Sequence, residues 1–337
     1  MRLALVTGLA GERLHENERA FLADARPAGL ILFARNCSSP DQVRRLVIDA
    51  VEAVADDDVL VLIDQEGGRV QRLRPPHWRA LPPAAVFGKL AETDADRAAR
   101  MAYLISRLTA DDLAHLGVNM NCAPVLDLRM PRAHDIIGDR AYGADVASVV
   151  RLAGSVADGY LAGGVVPVIK HVPGHGRALG DSHLELPVVA APRDVLEAAD
   201  FAPFRALSHL PAAMTAHVVY SAVDPERPAS ISAAVTSEVI RGWIGFDGLL
   251  ISDDLGMQAL SGSYRERAAA VGAAGSDIAL HCSGDLDEAR QVAEAVPPLA
   301  DKSLLRFRTA MLATRQAKPF DRGEAEAALA ETMSATA

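Results

Sequence analysis

Cysteine is nearly absent. Cys37, Cys122 and Cys282 are spread over 337 positions with no C-x-x-C pair, and an odd number so spaced gives no disulfide framework, which fits a reducing compartment. An excess of positive charge is also lacking. The chain carries 34 Lys and Arg against 44 Asp and Glu, a formal charge of −10, so it has no basic stripe on which a nucleic-acid backbone would lie. No apolar run approaches the roughly 18 residues needed to span a bilayer. The segment nearest to a leader, residues 1–10, has one basic residue and an apolar run broken by Thr7 and Gly8, with Gly11-Glu12-Arg13 directly behind it. It reads as a first buried strand rather than a secretory signal. Neither G-x-G-x-x-G nor a Walker sequence occurs, which disfavours a nucleotide site. Disorder is excluded as well, because half of the residues are hydrophobic and bury a large core.

What the chain does have is alternation. Eight short apolar runs, at residues 3–7, 29–33, 59–64, 118–124, 165–170, 212–217, 249–253 and 277–281, each end in a polar or glycine-bearing turn. Between the second and third, Ser39-Pro40-Asp41 supplies a cap and a first-turn proline, and Val43, Leu46, Val47, Ala50, Val51 and Val54 fall on one helical face. Similar helical spacing fills 94–116, 144–162, 193–210, 233–244 and 285–295. Strand and helix in strict alternation demand a parallel sheet, and eight repeats predict an α/β fold, a single (β/α)8 TIM-like barrel. Asp64, Asn119, Lys170, His171, His217, Asp253 and His281 fall at or near the carboxyl ends of these runs, the face on which barrels place chemistry. With no linker or repeat in sight, residues 1–337 read as one domain with a helical tail from about residue 304.

Three segments carry candidate chemistry. In Lys170-His171-Val172-Pro173-Gly174-His175-Gly176, followed by Asp181-Ser182-His183, the glycines predict a mobile loop. On an extended stretch Asp181 and His183 point the same way, so the carboxylate orients the imidazole as a general acid/base. The same residues admit two other readings, loop polars held by local hydrogen bonds or a metal site of His171, His175, Asp181 and His183, although Lys170 would repel an ion. In Ser252-Asp253-Asp254-Leu255, neighbouring side chains point oppositely: Asp253 faces the barrel mouth as a nucleophile and Asp254 turns to the backbone, or one of the two caps a helix. In Asp64-Gln65-Glu66-Gly67-Gly68-Arg69-Val70-Gln71-Arg72, a paired Asp and Arg suit a polyol, since one accepts and the other donates hydrogen bonds. Gly138-Asp139-Arg140 adds an arginine after the fourth strand.

Taken in order from about residue 5 to about residue 285, these motifs resemble glycoside hydrolase family 3, above all its compact bacterial β-N-acetylglucosaminidases. The long signature from Lys170-His171 to Asp181-Ser182-His183 is the most specific of them. One departure is Val172, where many relatives carry phenylalanine. The resemblance implies a cytoplasmic enzyme of peptidoglycan recycling that hydrolyses terminal β-linked N-acetylglucosamine with retention. Its substrate would be a small muropeptide fragment, N-acetylglucosamine linked to 1,6-anhydro-N-acetylmuramic acid with or without peptide. It implies Asp253 as nucleophile, His183 as general acid/base and Asp181 as its partner, with Asp64, Arg72, Arg140, Lys170 and His171 holding the sugar. It implies no cofactor and no metal. Neither nucleic acid nor membrane is expected as a partner, and the oligomeric state stays open, a monomer being compatible with the reading.

Rings are scarce, at 4% of residues with two tryptophans, so the expected site is a shallow pocket for one terminal sugar rather than a stacking cleft. A histidine in place of the usual second carboxylate repels an anionic acceptor less, which makes a phosphorylase the competing reaction. A metal-dependent barrel hydrolase and a non-catalytic amino-sugar sensor are the alternatives from other classes.

Overall fold

The computed structural model describes residues 1–56, 58–130, 135–180, 182 and 185–334. The eight apolar runs become eight strands: β1 Leu3–Gly8, β2 Pro27–Leu32, β3 Leu60–Ile63, β4 Met120–Asn121, β5 Val166–Val172, β6 Ala212–Thr215, β7 Leu249–Asp254 and β8 Ile278–His281. They pair in sequence order around a closed barrel, all in parallel, and β8 returns to β1 with Leu5 opposite Ala279. The predicted TIM-like barrel is the fold.

Side-chain alternation sorts the core into two shells. Leu60, Leu62, Val166, Val168, Leu249 and Ile251 fill the barrel interior with Met120, Ala212 and Met214. Val61, Ile63, Ile169, Ala213 and Leu250 face outward into the shell that packs on the helices. Carried past the strand ends, the inward parity arrives at Asp64, Lys170 and Asp253.

The helices are α1 Glu16–Ala25, α2 Pro40–Val54, α3 Ala84–Ala91, α4 Ala95–Ala114, α5 Val146–Ala162, α6 Arg193–Ala198, α7 Ala202–Ala206, α8 Tyr264–Ala274, α9 Leu286–Ala293, α10 Asp301–Ala313 and α11 Arg322–Ser334. In α2 the Ser39 side chain accepts the Gln42 N–H and Pro40 opens the first turn, as its sequence predicts. The stretch expected as one helix over 193–210 is instead the pair α6 and α7. Pro203 follows the break and lacks the N–H a continuous helix needs, and Phe201 N–H bonds back to Leu196 O. The helix expected at 233–244 is a π-helical segment, Val235–Trp243, in which Ile244 N–H reaches Val239 O. All three cysteines are free. No helix among the described residues is long and apolar enough to cross a membrane.

Candidate active site

The segment after β3 folds back on itself. Gln65–Gly67 pairs with Val70–Gln71 in a short hairpin, and the Gln65 side-chain oxygen accepts the N–H groups of Arg72 and Leu73, both at 3.0 Å. This turn returns Arg72 to Asp64, whose Oδ2 it meets at 3.0 Å. Gly67 makes the fold-back possible: its φ is +106°, and a Cβ there would stand 2.3 Å from Pro82 O. Lys170, on β5, donates to Asp64 Oδ1 at 2.9 Å and lies 2.6 Å from Glu66 Oε1. Arg140 grips Glu66 with Nε and Nη2, each at 2.8 Å. Arg72, Asp64, Lys170, Glu66 and Arg140 thus form one continuous chain of alternating charge.

Burial would raise the Asp64 carboxyl, but Lys170 and Arg72 overcome it and hold the group well below the usual carboxylate range. Glu66 is driven down against burial by Arg140 and Lys170, to about 2. Burial pulls the Lys170 ammonium down, and the two carboxylates outweigh it and raise it above its ordinary value. Asp64, Glu66 and Lys170 are therefore all ionised near neutrality.

Asp253 ends β7. Burial raises its carboxyl, yet His217, His171, the Asp254 N–H at 2.8 Å and Lys170 bring it below the ordinary value, so it stands as a carboxylate. Asp254 turns to the backbone as expected, its Oδ1 accepting the N–H groups of Gly256 and Cys282, both at 3.0 Å. His217 Nε2 lies 2.9 Å from Asp254 O, which only accepts, so Nε2 carries the hydrogen and Nδ1 accepts from the Ser230 hydroxyl at 2.6 Å. Burial lowers this ring's pKa, so it is neutral near pH 7 and gains the charge that favours an ionised Asp253 only in acid, where that carboxyl would otherwise take up a proton.

A register shift interrupts the β5 ladder between Ile169 and Val172, and consecutive Lys170 and His171 both line the cavity. His171 Nδ1 meets Asp127 Oδ2 at 2.7 Å, which orients the ring. The fully buried Asp127 also accepts the His175 N–H at 2.6 Å through Oδ1. His175 Nε2 in turn lies 3.1 Å from Ser182 Oγ, and burial together with His171 lowers its pKa to about 4. The loop predicted to be mobile is anchored over its described part, residues 173–180. Tyr220 donates to Gly174 O at 2.7 Å, and Arg177 binds Asp200 Oδ2 with Nε and Nη2 at 3.0 and 2.9 Å. Its glycines serve close approach, since a Cβ on Gly176 would lie 2.0 Å from Leu128 O. Asp181 and His183 lie outside the described residues. Among the described residues no group of three or more His, Cys, Asp or Glu side chains gathers as metal ligands.

A cavity of about 380 Å³ opens at the carboxyl ends of the strands. Asp64, Arg72, Arg140, Lys170, His171 and Asp253 all line it, together with Glu66 and the apolar Phe33, Met214 and Met257. Neither tryptophan does. Two sequence expectations fail here. Asn119 stands at the start of its strand rather than the mouth, bonded to Val61 N–H at 2.8 Å and Val59 O at 2.9 Å; Asn121 is the one at the mouth, bracing the Gln65 backbone at 2.9 Å on both sides. His281 is fully buried and turned from the cavity to Glu288, at 3.0 Å, because the inward parity of β8 falls on Ile278 and Leu280. Glu66 and Asp127 escape sequence reading. The only signal for Glu66 is that it shares the parity of Asp64, and Asp127 shows as a lone acid within Val125-Leu126-Asp127-Leu128.

A closed parallel barrel with its charged groups gathered at one mouth has the architecture of a barrel enzyme. Residues 2–305 match the glycosyl hydrolase family 3 N-terminal domain. The chain is 43% identical over 283 residues to a β-hexosaminidase of Alkalilimnicola ehrlichii, covering 83% of this chain and 80% of that one. Native NagZ from Neisseria gonorrhoeae superposes with a TM-score of 0.88 at 34% identity over 98% of each chain, and the same protein has been solved with N-trifluoroacetyl-D-glucosamine. A family 3 β-N-acetylglucosaminidase from Paenibacillus gives a TM-score of 0.85 at 30% identity; 98% of this chain is covered, and it spans 66% of that one. The chain belongs to glycosyl hydrolase family 3, the family its motifs resemble.

Proposed function

We propose that this chain is a retaining exo-β-N-acetylglucosaminidase in which Asp253 is the nucleophile, His183 the general acid/base and Asp181 its partner. Asp64, Arg72, Arg140, Lys170 and His171 hold the terminal sugar. One observation carries the reading: in a family 3 chain, an ionised carboxylate at the end of β7 shares one cavity with a chain of paired cations and anions suited to hydroxyl groups. Lys170 has three N–H groups and two near carboxylate partners, and His171 keeps Nε2 free of Asp127. These spare groups suit a neutral polyol better than a second ion.

In the first step His183 gives its proton to the glycosidic oxygen, the C1–O bond breaks, and an Asp253 oxygen bonds to C1 through an oxocarbenium-like transition state. In the second step neutral His183 takes a proton from water, whose oxygen displaces the aspartyl ester and restores the starting configuration. The cavity is small and lacks a tryptophan platform, which supports a single terminal sugar. The substrate class in this reading is N-acetylglucosamine β-linked to 1,6-anhydro-N-acetylmuramic acid, with or without peptide, met in the cytoplasm during cell-wall recycling.

Incubating the enzyme with such a disaccharide, with and without phosphate, tests the reading. The expected product is free N-acetylglucosamine, β at C1 by NMR before mutarotation. Release of the α anomer, a sugar 1-phosphate in the phosphate arm, or no turnover at all would overturn it.

A further inference from the structure

Glu66 is given no role in the reaction above, yet it is the most heavily partnered carboxylate in the cavity. Its side chain is 8% exposed, and it binds Arg140 through both oxygens and Lys170 through one. It also links the two halves of the ion chain: without it Lys170 keeps Asp64, but among the described residues Arg140 retains as hydrogen-bond partner only the Ile136 carbonyl, at 3.1 Å. The charge count is equally pointed. Among the described residues four cations, Arg69, Arg72, Lys170 and Arg140, face four anions, Asp64, Glu66, Asp253 and Asp254, around one cavity, so these groups are formally balanced before substrate enters. In the proposed reaction C1 gains positive charge as Asp253 gives up its own to the new ester bond. That change is opposed by any excess of fixed cations nearby, in a site too buried for water to screen them well.

We propose that Glu66 is a positioning residue that acts through Arg140 and Lys170, balancing their charge so that the cavity does not become cationic as the oxocarbenium-like state forms. The inference rests on the glycosidase reading. It assigns Glu66 an effect on turnover rather than on sugar affinity, because N-acetylglucosamine is neutral and feels the balance little, whereas the transition state feels it directly.

Two variants test it against wild type, with an aryl β-N-acetylglucosaminide for kcat and KM and N-acetylglucosamine for product inhibition. Glu66→Gln keeps the shape and removes the charge. It is expected to lower kcat by about 30-fold, the scale of one unit charge at an effective interior dielectric, while the product inhibition constant stays within about threefold. Glu66→Asp keeps the charge and shortens the reach, and is expected to hold kcat within about threefold of wild type. An unchanged kcat in folded Glu66→Gln overturns the proposal, as does an equal loss of product binding. If Glu66→Gln does not fold, Glu66→Asp decides by itself, since a 30-fold loss there means that charge balance is not what Glu66 supplies. An inactive wild type would sink the glycosidase reading instead, so the two failures are told apart.

Discussion

Charge states in this cavity are set by neighbours. Asp253 stays ionised because His217, His171 and Lys170 outweigh its burial, which is the state a nucleophile needs. Asp253→Ala is therefore expected to lower turnover on the order of 10⁴-fold or more, as loss of an enzymic nucleophile does. His183→Ala should slow aryl glycosides in proportion to leaving-group pKa, little for the best leaving groups and by about 10²-fold or more for the poorest; equal slowing across the series would remove His183 as the acid. A second expectation concerns stability. His175 is neutral in the fold, its pKa lowered from 6.5 to about 4, and His217 is lowered too. As pH falls from about 6.5 towards 4 the unfolded chain takes up protons that the folded chain refuses, so stability falls, on the order of 3 kcal/mol from His175 alone. Asp64 and Glu66 act lower down: their folded pKa values are depressed, so their contribution is complete only above about pH 5 and falls away as the pH drops through their folded values, for Glu66 towards about 2. Denaturant unfolding at pH 7, 5 and 4 should show the upper loss, and His175→Gln should flatten it; a wild-type curve level from 6.5 to 4.5 would refute the assignment. Asp64, Lys170 and Asp253 were legible because strand parity alone aims them inward. Glu66 and Asp127 were not, because their importance lies in partners 74 and 44 residues away, Arg140 and His171.

At the scale of elements, the barrel strands were legible because each is a short apolar run closed by a polar turn. What hid was of two kinds. Helix α8 has apolar positions that are nearly all alanine, and only Ala268, Val271 and Ala274 are buried, so it shows no apolar stripe; its one clear signal is the capping box in which Ser263 and Glu266 bond each other's backbone N–H. The break between α6 and α7 was hidden because it serves a tertiary contact, placing Asp200 on Arg177 of the loop that leads to Asp181. The hairpin after β3 is the element on which the site most depends, since it aims Asp64, Glu66 and Arg72 together. Gly67→Ala places a Cβ 2.3 Å from Pro82 O at a φ of +106°, which costs about 2 kcal/mol or more and forces the turn to move. A displacement of about 1 Å in this turn should lower kcat/KM by about 10²-fold. Kinetics with a chromogenic N-acetylglucosaminide check this, and unchanged kcat/KM in folded protein would show that the hairpin does not set the geometry.

For the whole molecule, the question is whether the C-terminal helices belong to the barrel's cooperative unit. Helix α11 lies against α4 and buries Ala325, Ala328 and Leu329. A set of ion pairs runs along the seam: Arg322 meets Asp111 and Asp112, Arg97 meets Glu331, Arg100 meets Glu324, and Arg79 bridges Asp112 and Glu326. Most of these pairs are exposed and contribute about 0–1 kcal/mol each, whereas the leucine and two alanines supply about 3–4 kcal/mol by burial. The seam also reaches the site, because Arg79 O accepts from Gln71 of the hairpin at 2.5 Å. Truncation after residue 321 should therefore lower the midpoint of the whole thermal transition by about 5–8 °C, at roughly 2 °C per kcal/mol for a large domain. Arg79 retains Asp112 in that variant, so kcat/KM at 25 °C should remain within about threefold of wild type. Calorimetry separates this from independent folding: if α11 were a separate appendage, truncation would delete a minor early transition and leave the main one in place. A single peak that moves as a whole is the outcome a shared core requires, because removing part of a cooperative unit lowers the stability of all of it.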